Sequence, residues 1–314
     1  MIEEESEDSD PGGTPVFRAK HLERLFSFKK IFLKFEGVNP SGTHKDRAAL
    51  RHVKYAIEQG YDAISIGTCG NYGVAMSYYS GLFGLKAEVY VPERYHSPKI
   101  ATMKHNGAVV NEVPGAYEDA VEMSREIAMD NNWYDGNPGN STTNLSYDAY
   151  SRISYELYQQ FGRAPDAVAI PVGNGTTLAG MYIGFVNLRK AGLTDRIPRI
   201  LGASTTGGNP VVKAFKDGGV LRDLKPENLR ESLVNEPLIA LHAYDGDVAL
   251  KAIKDTNGYA EYISDSRMLF YKRMLKKEMG INALPASTAP LEAIRNAPKY
   301  PGENLYVAVI TGRN

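Results

Sequence analysis

The alternation of short apolar runs with segments of helical period limits this chain more than any other feature. The runs at residues 31–35, 63–66, 87–91, 108–113, 167–172, 200–204 and 305–311 read as strands. Between them, Ala120, Val121, Ser124, Ile127 and Ala128, and then Ile153, Leu157 and Phe161, follow the three-and-four spacing of a helix face. Strand and helix in turn predict a parallel α/β architecture. In such sheets, ligands sit beyond the carboxyl ends of the strands, where loops lead into helices. Chemistry is therefore to be sought in the loops after residues 66, 172 and 310.

Composition excludes several classes. The 36 Lys and Arg against 37 Asp and Glu leave a formal net charge of −1, so there is no global positive field for a nucleic acid or an anionic membrane. No apolar run approaches the roughly 20 residues that cross a bilayer, and the chain opens without a basic-then-apolar leader. Both point to the cytoplasm. The single cysteine, Cys69, excludes an internal disulfide and a cysteine-cluster metal site, and no metal is expected. The first ten residues include Glu3, Glu4, Glu5, Glu7, Asp8 and Asp10 and read as a flexible acidic arm ending at residue 13.

Three loops carry candidate chemistry. After residue 172 come Gly173, Asn174, Gly175, Thr176 and Thr177. Glycine lets backbone N–H groups approach an anion, the threonines add hydroxyl donors, and the following helix offers its positive end. The spacing is neither a dinucleotide fingerprint nor a P-loop, and a plain strand-to-helix turn is the simpler alternative. The stretch Asn-Pro-Ser-Gly-Thr-His-Lys-Asp-Arg at residues 39–47 puts Lys45 at a helix start. There the dipole favours a neutral, nucleophilic amine suited to a Schiff base. An ordinary solvated lysine is the competing reading. Thr68, Cys69, Gly70 and Asn71 form a sharp turn with backbone donors and an amide. Cys69 as a catalytic thiol needs a base beside it that the sequence does not place.

Taken in order, these motifs resemble pyridoxal-phosphate (PLP) enzymes of fold type II, the tryptophan synthase β family, and within it the threonine synthases. Gly-Thr-Pro-Val at residues 13–16 is similar to the family's opening G-x-T-P-L, and residues 39–47 to its N-P-T-G-S-F-K-D-R. Thr-Cys-Gly-Asn at 68–71 matches its T/S-S-G-N loop. Pro-Val-Gly-Asn-Gly at 171–175 matches P-V-G-N, and Thr311-Gly312 the closing T-G.

The resemblance implies two three-layer α/β/α domains with mostly parallel sheets and PLP in the cleft between them. Residues 14–47 and 150–314 form the larger domain; residues 48–149 form a smaller, mobile one. Lys45 is implied as the Schiff-base lysine and proton carrier, with His44 beside the cofactor phosphate. Gly173, Asn174, Gly175, Thr176 and Thr177 bind that phosphate, Asn71 the ring hydroxyl, and Thr311 faces the pyridine nitrogen. A neutral hydroxyl there favours elimination and replacement over transamination. The backbone of Thr68, Cys69 and Gly70 takes the substrate carboxylate. Asn140 and Ser141 grip the leaving phosphate of O-phosphohomoserine, which is converted with water to threonine. A homodimer is the family's usual state.

The chain also departs from the pattern. Ser146 stands where the family has its phosphate-clamping arginine, and Arg152 is a candidate replacement or a surface residue. His44 replaces the usual phenylalanine, and the family's G-L-K-D tail is not present after Asn314. Leu-Pro-Ala-Ser-Thr-Ala at 284–289 resembles E-P-A-S-A-A, with Ser287 and Thr288 either near the ring or capping a helix. These departures keep alternatives open: a serine/threonine ammonia-lyase, a cysteate or cysteine synthase, or an amino-acid-binding homologue without turnover.

Overall fold

A computed structural model of the chain describes residues 10–28, 30–68, 70–93, 97–225, 227 and 229–314. The acidic arm up to residue 9 and Cys69 lie outside them. The chain divides into two compact units: residues 10–11 with Asn39–Ala149, and Gly12–Val38 with Tyr150–Asn314.

The first unit holds a four-stranded parallel sheet in the order β5-β4-β3-β6. Its strands are β3 (Ala63–Gly67), β4 (Lys86–Pro92), β5 (Val109–Val113) and β6 (Tyr134–Asp135). The helices α2 (Lys45–Glu58), α3 (Asn71–Leu82), α4 (Pro98–His105) and α5 (Tyr117–Asp130) surround it. Met76 and Tyr79 of α3 and Val53 of α2 share one core with Ile64, Ile66, Val89 and Val91. Tyr90 and Val113 pack against Ala120 of α5 in another. Alternate residues of one strand thus bury in opposite directions, which makes three layers.

Close approach of α5 to β3 explains Gly67: a Cβ there would lie 2.4 Å from the Val121 amide nitrogen. The arm's last acid, Asp10, lies 3.8 Å from the Lys54 ammonium of α2.

The second unit holds a six-stranded sheet in the order β1-β2-β10-β7-β8-β9. These are β1 (Val16–Arg18), β2 (Ile31–Phe35), β7 (Ala167–Pro171), β8 (Arg199–Thr205), β9 (Tyr259–Ile263) and β10 (Tyr306–Ile310). Only the β1–β2 pairing among them is antiparallel. On one face, α1 (Lys20–Phe26), α10 (Asp265–Met279) and α11 (Pro290–Asn296) bury Leu22, Tyr271, Leu275 and Leu291 against Leu33, Ala169, Leu201 and Ala308. On the other, Gly202 lets Leu178 of α7 (Thr176–Lys190) and Ile253 of α9 (Gly246–Asp255) close on the sheet. The helices α6 (Thr143–Phe161) and α8 (Pro210–Lys216) complete the fold. The division between units falls inside α6, between Ala149 and Tyr150.

Residues 39–47, expected with the larger domain, belong to the smaller unit, because Lys45 opens α2 and α2 packs along α3. The helix expected around Ile153, Leu157 and Phe161 already begins at Thr143. Three strands were not anticipated: β1, β6 and β9.

Charge collects at the amino ends of the large sheet. Asp166, just before β7, accepts from Arg163 and Arg196 and from the Asn304 and Leu305 amides; against the opposing effect of burial, Arg163 and the two amides hold its carboxyl below the ordinary range. Arg199 opens β8 and donates to Glu303 at 2.9 Å and to the Asn257 carbonyl at 3.0 Å.

Candidate active site

The candidate residues lie where parallel strands end and helices begin. Lys45, Asn71 and Thr176 are the first residues of α2, α3 and α7. Each sits at the positive end of a helix.

The Lys45 turn is built by its neighbours. Gly42 has φ +91°, a left-handed backbone that suits glycine, and its N–H donates to the Asn39 carbonyl at 2.8 Å. The buried Asp46 carboxylate accepts from the Ser41 N–H at 2.8 Å and from the Ser41 hydroxyl, and Thr43 Oγ1 accepts the Lys45 N–H at 3.2 Å. The turn is thereby closed on its own side chains, with Lys45 half-buried and His44 buried at the cap position.

Around Asn71 the structure corrects one expectation. The Thr68 N–H donates to the Tyr90 carbonyl at 2.9 Å, continuing the sheet ladder, and the Gly70 N–H turns to Thr68 Oγ1 at 3.3 Å. The Thr68 amide is therefore not a carboxylate donor. Gly73 keeps the turn tight: a Cβ there would meet Thr68 Cγ2 at 2.7 Å.

In the other unit, the loop after β7 is a cradle. Gly175 has φ +92° and caps α7; a Cβ on it would press on the Ala249 side chain at 2.9 Å and the Asp245 carbonyl at 3.0 Å. Asn209 Nδ2 takes the Gly173 carbonyl at 2.9 Å and the Val172 carbonyl at 3.1 Å, while its Oδ1 accepts the Val211 and Val212 amides at the start of α8. The Asp245 N–H donates to the Asn174 carbonyl at 2.9 Å, and its carboxylate accepts the Thr176 hydroxyl proton. Thr176 was expected to offer that proton to an anion. Asp245, at the start of α9, takes it instead.

Asn209 and Asp245 were missed by sequence reasoning. Asn-Pro at 209–210 signals a helix start, but nothing local shows which loop its amide holds.

Thr311 is buried beyond β10. The Gly312 carbonyl beside it accepts the Leu284 N–H at 2.9 Å and the Ser287 hydroxyl at 3.1 Å, so the 284–289 segment packs on the Thr311 loop. Neither Ser287 nor Thr288 caps a helix; both hydroxyls donate to backbone carbonyls.

Asn140 and Ser141 form the turn into α6. Asn140 Oδ1 accepts from the Thr142 N–H at 2.9 Å, and Nδ2 donates to the Asp135 carbonyl at 2.7 Å. Ser146 faces inward, its hydroxyl 2.8 Å from His52 Nε2. Arg152 is exposed on a groove of about 570 Å³ between α6 and α7, beside Tyr155, Glu156 and Asn187.

The chain belongs to the pyridoxal-phosphate dependent enzyme family, whose model matches residues 8–312. Its cofactor is accordingly PLP. Among individual proteins, it is similar to the threonine synthase of Methanocaldococcus jannaschii, with 29% identity over 286 residues, covering 90% of this chain and 69% of that one. The threonine synthase of Methanosarcina acetivorans is 29% identical over 296 residues, covering 94% and 72%. In fold, maize serine racemase superposes with a TM-score of 0.81 at 18% identity, covering 96% of this chain and 88% of that chain.

The residues present fit the cofactor. The cradle at Gly173 and Gly175, backed by Asn209 and Asp245 and opening at a helix N-terminus, suits a phosphate monoester. A methyl group at position 175 would both clash and strain the left-handed backbone, so Gly175→Ala is expected to weaken PLP retention about tenfold. Cofactor absorbance remaining after exhaustive dialysis measures it; wild-type retention would remove this loop from the phosphate site.

Proposed function

We propose that this chain is a PLP-dependent lyase of the threonine synthase type, releasing phosphate from O-phosphohomoserine and adding water to give threonine. The observation that carries this reading is the Asn140 turn. Its amide is held with nitrogen as a donor at the start of the 19-residue α6, where the helix dipole also favours an anion. Similarity to threonine synthases over nine-tenths of the chain supports it.

PLP, when bound, supplies the sink for electrons released at the substrate's α-carbon. The Lys45 amine, at the start of α2, anchors it and carries the α-proton and the proton of the following shift. The amides of Gly173 to Thr177 would hold its phosphate, and Asn71 its ring hydroxyl. Thr311 would face the ring nitrogen with a neutral hydroxyl, which suits elimination and replacement. Asn71 faces the substrate, and Asn140 and Ser141 receive the departing phosphate before water adds at the β-carbon.

A second reading rests on Ser146. Its hydroxyl is turned to His52, so this position supplies no cation to a phosphate, and a smaller hydroxy-amino acid would then be the substrate of an ammonia-lyase. One assay separates the two. Holoenzyme given O-phosphohomoserine should release phosphate and form threonine in equal amounts. No phosphate, with keto acid formed from serine, would reject the first reading for the second.

A further inference from the structure

His52 is buried on α2 at 1% exposure, and neither reading gives it a task. It lies seven residues after Lys45, two turns along the same face of the helix. Its Nδ1 is 2.6 Å from the Tyr134 hydroxyl and its Nε2 2.8 Å from Ser146 Oγ. The Tyr134 hydroxyl is 2.8 Å from Thr142 Oγ1, which is 2.8 Å from Asn140 Oδ1.

The direction of every bond in this chain follows from its far end. Backbone groups fix the Asn140 amide: the Thr142 N–H can only donate, so it faces oxygen, and the Asp135 carbonyl can only accept, so it faces nitrogen. Asn140 Oδ1 therefore accepts the Thr142 hydroxyl proton. Thr142 must then accept from Tyr134, whose one proton is used there. Burial pushes the Tyr134 phenol up, so it keeps that proton. Tyr134 oxygen accepts in turn from His52, which places the imidazole proton on Nδ1. Bare Nε2 accepts from Ser146. Each hydroxyl proton is used once, and Asn140 Nδ2 retains a second N–H beyond the one given to Asp135.

We propose that His52 is a positioning residue: with its proton on Nδ1 it fixes, through Tyr134 and Thr142, the Asn140 amide relative to Lys45 as a donor to an anionic substituent of the substrate. This rests on the reading that Asn140 meets the leaving group. The turn that carries Asn140 is Gly-Asn-Pro-Gly-Asn at residues 136–140, a composition with little stiffness of its own. Its internal bonds set which way the amide faces. The relay ties it to the helix that carries the lysine. Ser146 explains itself in the same terms, since a hydroxyl at that position completes the acceptor side of the imidazole.

The test uses holoenzyme. With 15N-labelled histidine, long-range proton–nitrogen spectra should show His52, assigned by its loss in His52→Gln, as the neutral tautomer protonated on Nδ1. Protonation on Nε2 would overturn the proposal. Inorganic phosphate should shift the Asn140 side-chain amide signals; Thr142→Val should weaken that binding about tenfold, and Thr142→Ser should bind like the wild type. Should Thr142→Val fail to fold, Tyr134→Phe breaks the next link, with the same weakening expected. Signals unmoved by phosphate, or wild-type affinity in the folded variant, would refute it. Phosphate bound through Asn140 without threonine formation would reject the proposed reaction and leave the relay standing.

Discussion

Lys45→Ala is expected to lower turnover by about a thousandfold or more and to abolish the PLP that borohydride fixes to the protein. The two losses have one cause. Lys45 carries the only amine at the start of α2, and the buried Asp46 beside it is already engaged by Ser41. PLP should still bind, because the Gly173–Gly175 cradle belongs to a different segment of the chain. Mass spectrometry after reduction checks the attachment, and product formation checks the rate. A variant that keeps either full turnover or the fixed cofactor would remove Lys45 from the mechanism.

The second large effect concerns acid. Burial, helped by the Arg51 charge next to it, pulls the His52 imidazole down to about 4. In the unfolded chain it titrates near 6.5. Between these values the unfolded state holds a proton that the native state refuses, so stability falls as pH drops from about 6.5 to about 4. Outside that window this group contributes no slope. The full difference is about 3 kcal/mol. Carboxylates such as Asp166 titrate lower and act on the same acid limb, so the comparison to make is with His52→Gln, which carries no titrating ring. Unfolding free energies from urea titrations at pH 7 and pH 4 should diverge between the two proteins by that amount. Parallel pH profiles would show that the imidazole takes a proton in the native state.

Much of this architecture is legible in the sequence, for a physical reason. A parallel strand buried on both faces reads as an unbroken apolar run, and residues 167–171 and 306–310 have that form, with residues 31–35 departing from it only at Lys34. Where burial is one-sided or the strand is short, the signal fails. Tyr134–Asp135 is a two-residue edge, Val16–Arg18 ends in arginine, and Tyr259–Ile263 carries Glu261 among tyrosines at the sheet's margin. The site divides along the same line. Lys45 and the Gly173–Thr177 loop announce themselves because turn, glycine and helix start are adjacent in sequence. Asp245 meets Thr176 across 69 residues, and His52 meets Tyr134 across 82 and Ser146 across 94. Only the fold brings such pairs together, and a lone histidine in a helical stretch gives no hint of its partners.

The charged stitching around Asp166 and Arg199 has a consequence for how this protein can change. It gathers at the amino ends of β7, β8 and β10, whereas Gly173 and Thr311 follow the carboxyl ends of β7 and β10. The length of a strand separates the two. Substitutions at Arg163, Arg196 or Glu303 are therefore expected to change resistance to heat with the loops after β7 and β10 left in place, and substitutions in those loops to change cofactor retention with the ionic fastening intact. Resistance to heat and hold on the cofactor are thus expected to be separately adjustable in this sheet.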